Sequence, residues 1–403
     1  MQHQDINSIR KAIQDETTSV VVKPCRDGAP AWGINNGQLC NSQADYFSIR
    51  AIQSSDDSFR LMLQQVEPAL ILLIVKWQKR LPQFLVCIRS EPGLIGLTCL
   101  TSTVQSTHSN ILRKHGGKSV PYVKYAGPEY SSWFIVDSTQ FDWGDVYLAK
   151  TKRFVIVEVD EEIDILNGYF WVSWELMMQL ALMDHVLSND LRACIALFMC
   201  RKRYDSTFLN NEAELKIDSM SRGKENIVHN LSHHHFVSLE YLLRTENDLL
   251  NYEDTYNNRV YFVQTTAPSR EVATWIQPLL YLNQDRVISL YRCFAPTELF
   301  AVYQSSQLGI PEESLWFPAQ PLHSLSGSIR TCTTSGEGGR FYRHRILMEL
   351  FSLNSYKDIS EDNWPQGTIW LEKWQVEQLI LSPLGTSLEL RMAWTLLLGD
   401  ISA

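Results

Sequence analysis

Two glycine-glycine-cation steps in this chain set titratable side chains beside backbone that a ligand can approach closely. The first is Gly116-Gly117-Lys118, preceded by Arg113, Lys114 and His115 and followed by Tyr122. The second is Gly338-Gly339-Arg340, preceded by Glu337 and followed by Tyr342. His115 and Lys118, beside Tyr122, offer acid/base and donor groups, while Gly116 and Gly117 free the backbone between them. A tight turn carrying solvated charges is the plainer reading of the same residues. Arg113 and Lys114 could neutralise a diphosphate, although a bare basic cluster is more often a solvated face. In the second step the planar guanidinium of Arg340 can pair two phosphate oxygens at once, and Glu337 suits a base or a ribose contact. An Arg-Glu pair that only holds a loop explains them as well.

Three further groups could recognise a ligand. Arg270, Trp275 and Gln277 have the spacing of a polar hook, an aromatic plate and an amide, which suits stacking and edge recognition of a nucleotide base. Gln105, Thr107, Ser109 and Asn110 form a polar run that strand alternation would put partly on one face, fit for sugar hydroxyls or phosphate, or for a polar edge strand. Glu91, before Pro92-Gly93, suits either catalysis or a turn cap. His229, His233, His234 and His235 match no metal-ligand spacing, so no metal site is expected. No G-x-G-x-x-G follows a strand and no G-x-x-x-x-G-K-[ST] occurs, so no cofactor is expected either.

The elements that must carry these groups occur twice. Tyr46-Phe47-Ser48-Ile49 returns as Tyr261-Phe262-Val263-Gln264, Arg60 with Pro68 as Arg270 with Pro278, and Phe84-Leu85-Val86 with Gly93 as Phe300-Ala301-Val302 with Gly309. The two glycine-glycine-cation steps follow in the same order, each with a tyrosine after it. One common offset then separates Trp171 and Leu191-Arg192 from Trp370 and Leu390-Arg391. Each repeat reads as apolar strands, a glycine-marked turn, further strands and a closing helix, WELMMQLALMDHVL in the first and EKWQVEQLIL in the second. The expected fold class is α+β, with two tandem mixed α/β repeats. The expected division is an N-terminal extension at 1–30, a first repeat at 31–205, a polar connector at 206–257 and a second repeat at 258–403.

A net charge of −9 argues against nucleic acid and anionic lipid as partners, since both need a positive field. The eight cysteines are dispersed without a C-x-x-C, which points to reduced thiols. The polar first twenty residues lack the pattern of a secretory signal, and the aliphatic run at 69–75 is too short to cross a bilayer. The expected location is the cytoplasm, with no membrane association.

The stretch Thr103-Val104-Gln105-Ser106-Thr107-His108-Ser109-Asn110, then Arg113, His115-Gly116-Gly117-Lys118 and Pro121-Tyr122, resembles the signature region of the NDP-hexose 2,3-dehydratase family. So do Glu91-Pro92-Gly93, Arg270-Glu271-Val272, Trp275, Gln277-Pro278-Leu279-Leu280 and Gly336-Glu337-Gly338-Gly339-Arg340-Phe341-Tyr342. The resemblance implies two Nudix-like repeats, a homodimer and a dTDP-4-keto-6-deoxyglucose substrate. That sugar would lose its C2 hydroxyl to give an enol and then an unstable 3,4-diketo sugar for a partner 3-ketoreductase. The acidic box of Nudix hydrolases is absent, which disfavours diphosphate hydrolysis. The chain departs from the family pattern at Gln65 and Glu67, at Gln307-Leu308-Gly309 and around Ala319-Gln320-Pro321. A non-catalytic sugar-nucleotide-binding or partner-stabilising paralogue is therefore the alternative to an active lyase.

Overall fold

The apolar run at 69–75 is buried throughout, as a central strand covered on both faces must be. In the computed structural model it belongs to a chain described at 5–25, 29–43, 46–53, 57–65, 67–114, 116–207, 235–243, 252–294, 297–322, 327–353 and 364–400. The first half runs α1 (Ile6–Thr18), β1 (Val21–Pro24), β2 (Trp32–Asn35), β3 (Gln38–Asn41), β4 (Ser48–Gln53), β5 (Phe59–Gln64), β6 (Ala69–Gln78), β7 (Leu81–Ser90), β8 (Thr98–Thr101) and β9 (Val104–Ser106). It continues with α2 (His108–Ile111), β10 (Phe134–Phe141), β11 (Tyr147–Leu148), β12 (Thr151–Glu158), β13 (Tyr169–Ser173), α3 (Trp174–Ala181) and α4 (Asn189–Thr207). After β14 (His235–Val237) and α5 (Leu239–Leu242) come β15 (Arg259–Thr266), β16 (Thr274–Tyr281), β17 (Arg286–Phe294), β18 (Glu298–Gln307) and β19 (Ile310–Pro318). The chain closes with β20 (Arg330–Ser335), β21 (Arg345–Leu353), β22 (Ile369–Glu372), α6 (Lys373–Leu381) and α7 (Leu388–Trp394).

This is an α+β fold with mixed sheets. One sheet has the order β10-β12-β6-β7-β13, and another has β20-β21-β17-β18-β22. In each the central pair is parallel, β12 on β6 and β21 on β17, and the flanking pairs are antiparallel. Order and sense therefore recur between the halves. The helices recur too: α3 and α6 follow β13 and β22, and Ser188 and Ser387 stand before α4 and α7, their hydroxyls accepting from Leu191 and Leu390 N–H. α4 packs on both α6 and α7, so the helices carry much of the contact between halves.

Smaller strands complete the architecture. β4 and β5 lie in a sheet with β2, β3, β11 and β14, while β15 and β16 form a sheet with β1. The N-terminal segment thus adds a strand to the second half, and part of the polar connector adds one to the first. His229, His233 and His234 lie outside the described residues. No helix among the described residues is long and apolar enough to cross a membrane.

The halves grip each other reciprocally. Gly93 N–H donates to Gly338 O at 2.8 Å and Gly93 O accepts from Arg343 N–H at 2.7 Å. Gly309 N–H donates to Gly144 O at 2.6 Å and Gly309 O accepts from Ala149 N–H at 2.7 Å. A Cβ at Gly93 would sit 1.7 Å from Phe341 O, and one at Gly309 would sit 1.7 Å from Tyr147 O, so both positions require glycine for close approach. The partners of these glycines are the β10–β12 loop at 142–150 and the β20–β21 loop at 336–344, which are equivalent in the two sheets. Gly338-Gly339-Arg340 therefore has its counterpart at 144–146. Gly116-Gly117-Lys118 stands in the β9–β10 connection, so the resemblance of the two glycine-glycine-cation steps is not a structural equivalence. Arg60 and Arg270 also part company, the first lying on β5 and the second between β15 and β16.

Candidate functional site

Lysine has a long stem that lets an inward-facing strand residue carry charge into a core, provided acids meet it there. On and just before β12, Lys152 and Lys150 do this, both buried. Lys150 Nζ lies 2.7 Å from Glu337 Oε2 and 3.1 Å from Asp142 Oδ2. Lys152 Nζ lies 2.8 Å from Asp190 Oδ1, 2.9 Å from Asp142 Oδ2 and 3.4 Å from Glu337 Oε2. Tyr147 donates its hydroxyl to Glu337 Oε2 at 2.9 Å. Asp142 opens the loop after β10, Asp190 stands in the first turn of α4, and Glu337 comes from the opposite half's turn, so the centre exists only when the halves dock.

Three carboxylates share two ammonium groups, and the excess negative charge must be accommodated. Burial pushes the Asp190 carboxyl up to about 6, with Glu337 and Asp142 adding to it against the pull of Lys152. Burial also opposes ionisation of Glu337, but Lys150, Lys152 and Arg340 outweigh it and hold this carboxyl well below the usual range. Asp142 is likewise lowered, Lys152 and Lys150 overcoming its burial. The Lys152 ammonium is held well above its ordinary value because Asp142, Asp190 and Glu337 overcome its burial. Asp190 is thus the member of the cluster poised to exchange a proton near neutrality.

Lys152, Asp190 and Glu337 form part of the wall of a cavity of about 440 Å³. Of the residues singled out in the sequence, Gln105, Thr107, Ser109, Asn110, Arg270, Trp275, Gln277, Glu337, Gly339 and Arg340 line it, and so does Glu91. Gly338 lines a smaller cavity behind it. The polar run is not one strand: Thr107 follows β9 and caps α2, its hydroxyl accepting from Asn110 N–H at 3.4 Å. The Trp275 indole N–H donates to Gln277 Oε1 at 2.9 Å, and the Gln277 amide donates to Gly339 O at 2.9 Å, which fixes plate and amide against the turn. Arg340 donates to Gln65 Oε1 at 2.9 Å and stacks on Phe47 at 4.1 Å. The departure at Gln65 is thereby a hydrogen-bond partner for Arg340.

A second cationic wall is formed by Arg89 and Arg270. Arg89 lies 3.1 Å from Glu271 and 3.3 Å from Glu91, and Arg270 Nε lies 3.2 Å from Glu271. Burial and the neighbouring Arg89 lower the Arg270 pKa, so an anion in the cavity would relieve a real electrostatic cost. The Glu91 carboxylate accepts Gly339 N–H at 2.9 Å and so holds the turn across the two halves.

Other sequence candidates stand away from this wall. Arg113 donates to Gly117 O, and Lys118 N–H donates to Glu271 O at 3.0 Å, while neither these side chains nor Gly116 lines either cavity. Tyr122 donates to Asp164 O at 2.7 Å, and Tyr342 stacks on Tyr261 at 4.9 Å; both serve packing. His115 lies outside the described residues. Sequence reading missed Lys150, Lys152, Asp142, Asp190 and Arg89. A signal existed for Asp190, because an acid precedes Leu-Arg in both halves, Asp190 in one and Glu389 in the other.

The counterpart acid is occupied otherwise. Glu389 pairs with Arg286 at 2.8 Å, and Arg286 also reaches Asp145 at 2.5 Å and lies 4.3 Å over Trp143. A Cβ on Gly144 would meet Ile310 Cδ1 at 2.2 Å, so Ile310 fills that side. Among the described residues no group of His, Cys, Asp and Glu side chains has the arrangement to hold a metal ion.

Residues 6–198 match the NDP-hexose 2,3-dehydratase family. The chain is similar to a dTDP-4-dehydro-6-deoxy-alpha-D-glucopyranose 2,3-dehydratase from Saccharopolyspora spinosa, 24% identical over 280 residues that cover 62% of this chain and 57% of that protein. It is similar to proteins of the same description from Streptomyces violaceoruber, 29% identical over 34% of this chain and 31% of that one, and Amycolatopsis orientalis, 27% identical over 34% and 29%. The matched stretches thus span 57% or less of these curated relatives' length. These are partial similarities to that family, and the family match lies in the first half of the chain.

Proposed function

We propose that this chain is a carbon–oxygen lyase that removes the C2 hydroxyl of a dTDP-4-keto-6-deoxyhexose in deoxysugar biosynthesis. The observation that carries the reading is the contact of Lys152 with Asp190 at 2.8 Å on the wall of a cavity that also presents arginines, an indole and an amide. The C3 proton of such a sugar is acidified by the adjacent C4 carbonyl. Asp190 as carboxylate takes that proton, and the negative charge that passes to the C4 oxygen is met by the Lys152 ammonium. The proton on Asp190 is then handed to the C2 hydroxyl as the C2–O bond breaks. Water leaves, the C2–C3 double bond forms, and Asp190 returns to its starting state. Elimination of water transfers no electrons to or from the sugar, so its stoichiometry requires no redox partner.

Arg89, Arg270 and Arg340 supply the charge that a diphosphate needs, and Trp275 with Gln277 suits the base. In the corresponding place of the second half Glu389 is paired with Arg286 at 2.8 Å and, among the described residues, no lysine pair stands beside it, which favours a single reaction centre at the first half's Lys152–Asp190 pair. The recurring sheet order supports a duplicated Nudix-like unit, with repeats at about 31–205 and 258–403. The reading extends to a cytoplasmic homodimer whose unstable diketo product is passed to a 3-ketoreductase. Incubation with dTDP-4-keto-6-deoxyglucose and a 3-ketoreductase should give a 2-deoxy sugar nucleotide. Tight binding with substrate returned unchanged would sink the lyase reading in favour of a non-catalytic binding protein.

A further inference from the structure

Behind the acid/base pair lies a second, much smaller cavity of about 20 Å³. Glu91, Gln105, Lys152, Asp190 and Glu337 line both spaces and so form the partition between them. A polar space of this volume accommodates one water molecule, for which roughly 10–15 Å³ suffices when two or more polar partners are at hand. Thr98, Thr101, His185, Asn189, Thr334 and Ser335 also line it. Cys99 and Leu187 add apolar surface. Gln105 supplies a second observation: no described residue donates to its buried Oε1, although the residue borders both cavities. An unpartnered buried carbonyl is destabilising, a cost that a hydroxyl donor entering beside it would relieve.

Resting on the dehydratase reading, we propose that this small polar cavity is the subsite that receives the water expelled from C2, with Gln105 accepting its hydrogen bond. The eliminated oxygen departs from the substrate cavity through the partition at Asp190, rather than lingering beside the new double bond. Moving it there separates the leaving group from the enol and opposes re-addition. Atoms balance without any further reactant: the C3 proton, carried by Asp190, and the C2 hydroxyl leave together as one water.

The test separates the two chemical steps. Cys99→Leu fills the cavity from its apolar side, and Thr334→Val keeps its volume while removing a hydroxyl; neither residue lines the substrate cavity. In deuterated buffer, exchange at C3 of dTDP-4-keto-6-deoxyglucose reads proton abstraction, and trapping of the product by a 3-ketoreductase reads elimination. With both variants folded by circular dichroism, we expect C3 exchange at the wild-type rate and elimination slowed about tenfold in Cys99→Leu, equivalent to about 1.4 kcal/mol, and less in Thr334→Val. Elimination at the wild-type rate in both variants overturns the proposal. Equal loss of exchange and elimination also overturns it, since the cavity would then only support the acid/base pair. Wild-type protein that performs neither step overturns the dehydratase reading itself, and the subsite with it.

Discussion

Lys152 Nζ lies 2.8 Å from Asp190 Oδ1, and each side chain is almost wholly withdrawn from solvent although both border the cavity. The pair joins a β-strand to a helix N-terminus, and the turn that closes the charge cluster belongs to the other half of the chain. A buried ion cluster is a poor source of stability, because desolvation consumes most of the Coulomb energy. Its retention at a cavity wall is better explained by chemistry, where a carboxyl titrating near neutrality and a fixed cation are both of use.

The proton-transfer role of Asp190 predicts a pH profile. Burial raises its pKa to about 6, and the base form is the carboxylate, so kcat/KM should rise with pH through about 6 and level off above. Asp190→Asn should lower kcat by about 100-fold or more with little change in substrate affinity. The stability trend has the opposite sign: a raised carboxyl pKa means the fold prefers the protonated form, so Asp190 contributes stability as pH falls from about 6 towards its ordinary value. An acidic limb that persists unchanged in the Asn variant would remove Asp190 from the reaction.

Removal of Lys152 should be far more damaging to the fold than a surface charge change. Lys152→Met leaves three buried carboxylates with one ammonium, and breaking such a pair from one side costs about 3–5 kcal/mol. Urea denaturation of Lys152→Met, Asp190→Asn and the double variant should show the double variant more stable than Lys152→Met alone, because the uncompensated acid is gone. Strict additivity of the two substitutions would mean that the contact carries no coupling.

Much of the framework was legible because burial writes itself into local pattern. The run at 69–75 read as a strand and is one, EKWQVEQLIL holds α6, and of WELMMQLALMDHVL only the first eight residues form α3, which ends at Ala181. Gly93 and Gly309 were legible as landmarks, and their reason is a reciprocal close approach. Arg270, Trp275, Gln277 and Arg340 reach one cavity, as their residue types suggested. Lys152 was not legible, because it has no distinctive neighbour in sequence, and Asp190 left only the trace of an acid before Leu-Arg in both halves; the meaning of both lies in partners from the loop after β10, from α4 and from the opposite half. Gly116-Gly117-Lys118 drew attention through local similarity to Gly338-Gly339-Arg340, whereas sheet position pairs the latter with 144–146. Local composition repeats easily, and pairing across a sheet is set by distant strands.

That distinction gives a binding prediction. Arg340→Ala should weaken binding of a dTDP-sugar by about 1.5–3 kcal/mol, the range for hydrogen bonds to a charged group. Lys118→Ala should change it by less than about 0.5 kcal/mol, as for a typical surface charge. Calorimetric isotherms at fixed ionic strength would compare them, since phosphate contacts are screened by salt. A larger loss for Lys118→Ala than for Arg340→Ala would reverse the assignment of the two turns.

The reciprocal glycine contacts predict a matched pair of stability losses. Gly93 and Gly309 each exchange two backbone hydrogen bonds with the other half, and a methyl group at either would overlap a carbonyl oxygen, Phe341 O in one case and Tyr147 O in the other. Those oxygens belong to loops fixed by strands at both ends, so neither can yield as the tip of a flexible side chain could. Gly93→Ala and Gly309→Ala should therefore each cost more than about 3 kcal/mol, in the range reserved for steric conflict in packed regions. Gly116→Ala is the control: its φ is +69° but no atom stands within 4 Å of the added carbon, so only backbone strain of about 1 kcal/mol is expected. Thermal and urea unfolding of the three variants would decide it. If Gly93→Ala and Gly309→Ala unfold no more readily than Gly116→Ala, the two halves are not held together through these turns.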